Sequence, residues 1–344
     1  MESEIISRIL RAVRPKSEEE QFPLFSDKRY KPFKLSKDNF HEINAIKSEK
    51  KVVFIDGGNN EIIAGADFSL HFARIYCTVY LNNKRIKSKR KEFYILVSAF
   101  AEGSEIFYKA EIFPESAATL GKSYLLFNSF DRTIREGNNR IKISKIGEII
   151  RRFYEIKSAA EITEELGDGD IIVRDGSLQA TVTNENLLFD ELYEKAEKKN
   201  IIVAALSKTC SLLTDKGNSL SSAIRSISPK GKWHYHPVAD ISSPEHKAEM
   251  FFIKLSDKSR YFFRFEVYNG IKFEINDILS ILSDNSKDPT FIGYPYGLIE
   301  ADKLARVSEE EGRSLRMKFI FRAGKEWEKL SEKESELNAH DLLL

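Results

Sequence analysis

The sequence predicts an α/β protein with a mixed sheet flanked by helices, and three observations carry that expectation. A short apolar run, Val52–Ile55, is followed by two stretches, 61–82 and 92–113, that alternate apolar and polar residues. Ile146, Ile149, Ile150, Phe153 and Ile156 then recur at helical spacing, and a second unbroken apolar run, Ile171–Val173, comes soon after. A helical stretch at 186–199 and a strand at 201–206 complete the order: three strands, helix, strand, helix, strand.

Each element has a local reason. Ile5, Ile6, Ile9, Leu10 and Val13 mark an N-terminal helix that Pro15 stops, and residues 15–50 read as a connector. The continuous runs at 52–55 and 171–173 suit strands covered on both faces. "FARIYCTVYL", "EFYILVSAF" and "EIFYKAEIF" read as an antiparallel meander, with "LNNKRIKSKRK" as a basic loop inside it. Residues 114–143 give no clear assignment. Further on, strands are expected at 249–255 and 260–267 and helices at 274–283 and 297–312, before a charged tail, "KEWEKLSEKESELNAH". The antiparallel trio followed by helix, strand, helix, strand is the layout of the ribonuclease H-like fold, here with an N-terminal helix and an elaborated C-terminal half. The expected division is an N-terminal extension over 1–50, a ribonuclease H-like domain over 51–320 and a charged helix or tail over 321–344, with no linker that separates independent domains.

Bulk properties narrow the class. The 344 residues are 42% hydrophobic and 31% charged, enough apolar content for a sizeable core. A net charge of +1 provides no global field for nucleic acid, so any attraction must come from local patches. The two cysteines, Cys77 and Cys210, stand far apart, which suits a reducing compartment and argues against a zinc module. No apolar run approaches the roughly 20 residues that cross a bilayer. The acidic start, "MESEIISRIL", lacks an apolar signal core, so a cytoplasmic location is expected.

Two apolar strands lead into an acid and glycine: "VVFIDGG" delivers Asp56, and "IIVRDGSL" delivers Asp175. In a sheet of this layout those strand ends are neighbours, so the two carboxylates are expected to converge, each on a glycine turn. The helix between them carries Glu148 and Glu155, seven residues apart and on one face. A third acid would make a group whose repulsion a hard divalent cation relieves. A pair of such ions activates water and stabilises the leaving oxygen in phosphodiester cleavage. Each Asp-Gly alone is a common turn former; the pairing is the signal.

These pieces, "VVFIDGG", "RRFYEIKSAAEI" leading to "IIVRDGSL", "ALSKTCSL" and "GYPYGLIEADKLARV", occur in an order and over a span that resemble the NurA nuclease family. The resemblance implies a ribonuclease H-like homodimer. It also implies a manganese- or magnesium-dependent DNA nuclease with 5′-to-3′ exonuclease and single-strand endonuclease activity. The implied partner is the hexameric HerA ATPase, in DNA end resection for recombinational repair. Carried over residue by residue, Asp56 and Asp175 match metal-binding acids, and Glu155, with Glu148 as the alternative, matches the helical glutamate. Tyr294 matches an active-site tyrosine. A rival set uses Glu115 and Asp131 but leaves DGSL unexplained. Eight residues after Tyr294, where the family tends to have histidine, this chain has Asp302. That departure keeps open a catalytically weakened DNA-binding subunit of the motor complex, beside a ribonuclease H-like nuclease for RNA or branched DNA.

Other candidates are weighed on their residues. Lys208, just after a strand, is placed to meet a phosphate or to be a surface lysine. The basic stretch from Lys84 to Lys91 can track a DNA backbone or be a solvated hairpin tip. His234 and His236 in "WHYHP", with Asp240 and His246 nearby, have the donor types of a transition-metal site but lack a firm third ligand. Tyr261, Phe262, Phe263 and Phe265 read as core rather than as a base-stacking platform. "LGKS" at 120–123 lacks the upstream glycine of a phosphate loop, because Ser116 stands there, so ATP hydrolysis is not expected.

Overall fold

A computed structural model describes residues 2–12 and 20–335. The chain forms two compact bodies, each assembled from separated segments. The first comprises Met1–Ser48, Gly176–Gln179 and Ala204–Tyr296; the second comprises Glu49–Asp175, Ala180–Val203 and Gly297–Leu344.

The second body is built on a mixed sheet. Its strands follow the spatial order Ile171–Asp175, Val52–Ala64, Phe68–Leu81, Lys84–Glu102, Glu105–Phe113, Leu126–Asn128. Ile171–Asp175 runs parallel to Val52–Ala64, pairing Val52 with Ile171 through Ile55 with Arg174, and the remaining pairs are antiparallel. The helix Ser144–Ile162 lies over Val52–Ala64 and Phe68–Leu81. It buries Ile146, Ile150, Phe153 and Ile156 of the expected stripe and leaves Ile149 half-buried. Helix Glu185–Lys199 follows the fourth expected strand, and Ile202 then donates its amide to Asp170. The meander, the helix and the parallel strand therefore arise in the order the sequence predicts, and the fold is ribonuclease H-like.

Three local expectations change. Asp56 does not end a strand: Val52–Ala64 continues through Gly57 and Gly58 as far as Ala64. The basic stretch is not a loop but the start of the long strand Lys84–Glu102, and the hairpin tip is only Asn82-Asn83, both at positive φ. Five of its six cations face acids: Lys87 and Lys89 bond Glu165 at 2.8 and 2.5 Å, Arg85 bonds Glu300, Lys91 bonds Glu161, and Arg90 bonds Glu92. The helix expected over 297–312 is two helices, Tyr296–Ala305 and Glu309–Ala323. The second restarts because the Ser308 hydroxyl accepts the Glu311 amide at 3.1 Å, an N-cap.

In the first body, strands Phe40–Glu42, Trp233–Tyr235, Ala248–Lys254 and Phe263–Tyr268 pair antiparallel in that order, and Ala204–Ser207 adds to the last. Trp233, Tyr235, Met250 and Phe252 form its core with Leu220, Ile224 and Val238. Helix Ile275–Asn285 matches the expected span. The N-terminal helix is Glu2–Ala12; its expected stop at Pro15 and the far end of the charged tail lie outside the described residues. Among the described residues no helix is long and apolar enough to cross a membrane. Both cysteines are free thiols.

Candidate metal centre

Alternation along one strand sets out the site. In Val52–Ala64, Phe54, Asp56 and Gly58 share a face, whereas Ile55 and Gly57 point the other way. The first face meets the helix Tyr296–Ala305 at two points. A Cβ on Gly297 would sit 1.9 Å from the Phe54 ring, and one on Gly58 would sit 2.5 Å from the Ala305 carbonyl oxygen. Only glycine fits either contact. From Gly297 to Ala305 a helix rises about 12 Å, and from Phe54 to Gly58 a strand advances about 13 Å. Helix and strand therefore stay in step, and Asp56, midway along the strand segment, is opposite the middle of the helix at Ala301, with Asp302 the next residue. Asp175 joins them from the neighbouring parallel strand, where Gly176 takes a φ of +107° and lets the chain turn away.

The result is a group of three acids. One carboxylate oxygen from each of Asp56, Asp175 and Asp302 lies within 4.8 Å of the others. All three are partly buried. Three carboxylates at that spacing repel one another, and a shared divalent cation relieves that repulsion. They offer the all-oxygen donor set that hard divalent ions prefer over softer metals. Among the described residues this is the grouping of three metal-ligating side chains that the structure provides.

The other expected site residues fall elsewhere. Glu155 is on the opposite face of the sheet, beneath Gly57: a Cβ there would lie 2.7 Å from Glu155 Oε1. It is 3% exposed and bonds Arg151 and Arg174, the latter at 2.9 Å. Arg151 also donates to the Gly57 carbonyl at 3.2 Å. The charge of Glu155, against the opposing effect of burial and with help from Asp56, raises the Arg151 pKa further above its ordinary value. Glu148 is exposed and bonds Lys145 at 2.8 Å. Glu115 is exposed in a short 3-10 turn, and Asp131 accepts the Thr133 amide in a local turn, so the rival pair is not gathered with the trio. In the first body, the exposed Lys208 holds its ammonium 5.8 Å from the centre of the Tyr294 ring. Tyr294 is buried and also meets Phe263 edge-on.

The histidines serve packing. His234 stacks with His41 across neighbouring strands, and His236 stacks on Phe251. Burial, with the charges of His41 and His236, pushes His234 down to about 4. His246 stands apart from them between Tyr30 and Glu266, at 2.8 and 3.1 Å, and Asp240 lies on a separate short strand. Glu266 is fully buried; burial raises its pKa, but His246, Arg264 and the Leu178 amide outweigh that and hold it at about 2. Phe263 and Phe265 are core, as expected, while Tyr261 is exposed. "LGKS" leads into a 3-10 turn, Lys122–Leu125, rather than into the α-helix that follows a phosphate loop.

A ribonuclease H-like sheet that presents clustered carboxylates belongs to the class of phosphodiester hydrolases. A family model described as the NurA domain matches residues 50–307, three quarters of the chain. This chain belongs to the NurA family of nucleases. The NurA nuclease from Sulfolobus solfataricus has a similar structure, at 14% identity over 93% of each chain with a TM-score of 0.51. Endonuclease V from Ciona intestinalis, in complex with DNA, aligns over 78% of this chain and 91% of its own at 12% identity and a TM-score of 0.37. The catalytic domain of human Endonuclease V aligns over 78% and 89% at 10% identity and a TM-score of 0.38. No curated protein matches the chain.

Proposed function

We propose that this protein is a divalent-metal-dependent DNA nuclease whose ions are held by Asp56, Asp175 and Asp302. The carrying observation is the 4.8 Å grouping of their oxygens. Bound manganese or magnesium supplies two things there, a water acidified toward hydroxide and positive charge for the scissile phosphate. The chain's own part is to fix the oxygen donors: Gly58 and Gly297 admit the helix that carries Asp302, and Gly176 releases the chain behind Asp175. Lys208 offsets phosphate charge and Tyr294 orients a phosphate or water, as family likeness suggests. That likeness also supports 5′-to-3′ exonuclease and single-strand endonuclease action as a cytoplasmic homodimer, with a HerA-type hexameric ATPase driving DNA in for end resection.

The test is digestion of 5′-labelled duplex and single-stranded DNA with manganese and with chelator. Degradation only with the metal is expected; equal degradation in both overturns the metal mechanism. A second reading rests on Asp302 in the histidine position: a weakened subunit that binds DNA for the motor. Full DNA binding without cleavage in any metal favours it. Labelled RNA and junctions in the same assay distinguish a nuclease for those substrates.

A further inference from the structure

We propose that Glu155 is a positioning residue that holds Asp56 and Asp175, two of the three acids, from behind the sheet, through Arg151 and Arg174. This rests on the reading of Asp56, Asp175 and Asp302 as the cation site and adds to it. The geometry is reciprocal. Asp56 and Asp175 face one side of two paired strands, and period-two alternation turns their chain neighbours Gly57 and Arg174 to the other side. On that side a single carboxylate engages both strands. Glu155 Oε2 accepts from Arg174 at 2.9 Å, and Arg174 is the residue before Asp175. Glu155 Oε1 accepts from Arg151, which in turn donates at 3.2 Å to the carbonyl of Gly57, the residue after Asp56. Arg174 is further fixed by its guanidinium lying 5.5 Å from the centre of the Phe189 ring. The absence of a side chain on Gly57 is what lets the carboxylate reach the strand.

Arg174 is 3% exposed on its side chain, so it is out of reach of DNA and, as a cation, is no ligand. Simple electrostatics says that removing its charge should tighten cation binding nearby. Weaker binding in Arg174→Gln therefore reports position rather than charge. The experiment titrates manganese alone into wild type, Glu155→Gln, Arg174→Gln, Arg174→Lys and the Glu155→Gln/Arg174→Gln double variant by calorimetry. Circular dichroism counts the folded fraction.

The expected result is a five- to tenfold weaker manganese Kd in each Gln variant, partial recovery in Arg174→Lys, and a double variant no worse than the worse single. Hydrogen exchange at 53–58 and 172–175 should speed up in the same variants without metal. Abolished binding in Glu155→Gln with an Arg174→Gln Kd within twofold of wild type would make Glu155 a ligand and overturn the proposal. So would unchanged exchange in both Gln variants, whatever the metal does. Failure of the trio itself reads differently: wild type then binds no manganese, while the exchange measurement still decides the role of Glu155.

Discussion

Two groups of charge lie on opposite faces of the same pair of strands, and they are built on opposite rules. On one face, Asp56, Asp175 and Asp302 bring like charges within 4.8 Å. On the other, Glu155 is buried between two arginines, Arg151 and Arg174. The second arrangement is complete within the chain: each oxygen of Glu155 has a guanidinium. The first gathers carboxylates of like charge, the donor set that hard divalent cations prefer. Nearness to the acid trio thus does not make an acid part of it; the sheet face it occupies decides.

That contrast gives unequal consequences for removing an acid. Glu155→Ala leaves two buried guanidiniums without their shared carboxylate and should cost about 3–5 kcal/mol in urea unfolding, the usual range for breaking a buried ion pair. Asp302→Asn should cost less metal-free stability than Glu155→Ala, because it also relieves repulsion within the trio. A Glu155→Ala protein as stable as wild type breaks the contrast.

Gly58→Ala sharpens it by shifting the trio without touching an acid. Its Cβ would meet the Ala305 carbonyl at 2.5 Å, so the helix must move. A loss of about 1–3 kcal/mol is expected from overpacking, with a weaker manganese Kd as the second readout.

The smallest effect is on pH. Burial drives His71 down to about 4, although the nearby Glu148 opposes the shift. Its ring bonds the Ser69 hydroxyl at 2.7 Å and packs where Gly147 leaves room. Between the ordinary histidine value near 6.5 and about 4, the unfolded chain binds a proton that the folded one refuses. Stability therefore falls as pH drops through that window and levels off below it. From pH 7 to pH 5 this residue should account for a loss of about 1–2 kcal/mol. His71→Gln should flatten that slope in denaturation curves at the two pH values; an unaltered slope refutes the assignment.

Much of this was legible in the residue order. The unbroken runs at 52–55 and 171–173 signalled strands covered on both faces, and the helical stripe from Ile146 to Ile156 fixed the crossover between them. Asp56 and Asp175 followed from that layout. Asp302 did not, because it reaches the site only through Gly297 against Phe54 and Gly58 against Ala305, contacts between residues more than 240 positions apart. Its place eight residues after Tyr294 was visible; that it would face Asp56 was not. The sheet face of Glu155 was within reach, since Asp56 and Gly57 must point to opposite sides of any strand. Reading Asp-Gly-Gly as a turn hid that alternation. The Arg151 and Arg174 partners needed the packed structure, as the second is brought in by a neighbouring strand.

The most direct measurement of the cation site is a calorimetric titration of manganese into wild type and Asp302→Asn. Saturable binding to wild type, weakened at least tenfold in a variant that is fully folded at the titration temperature, is the predicted result. Equal affinity in both proteins would contradict the three-acid centre.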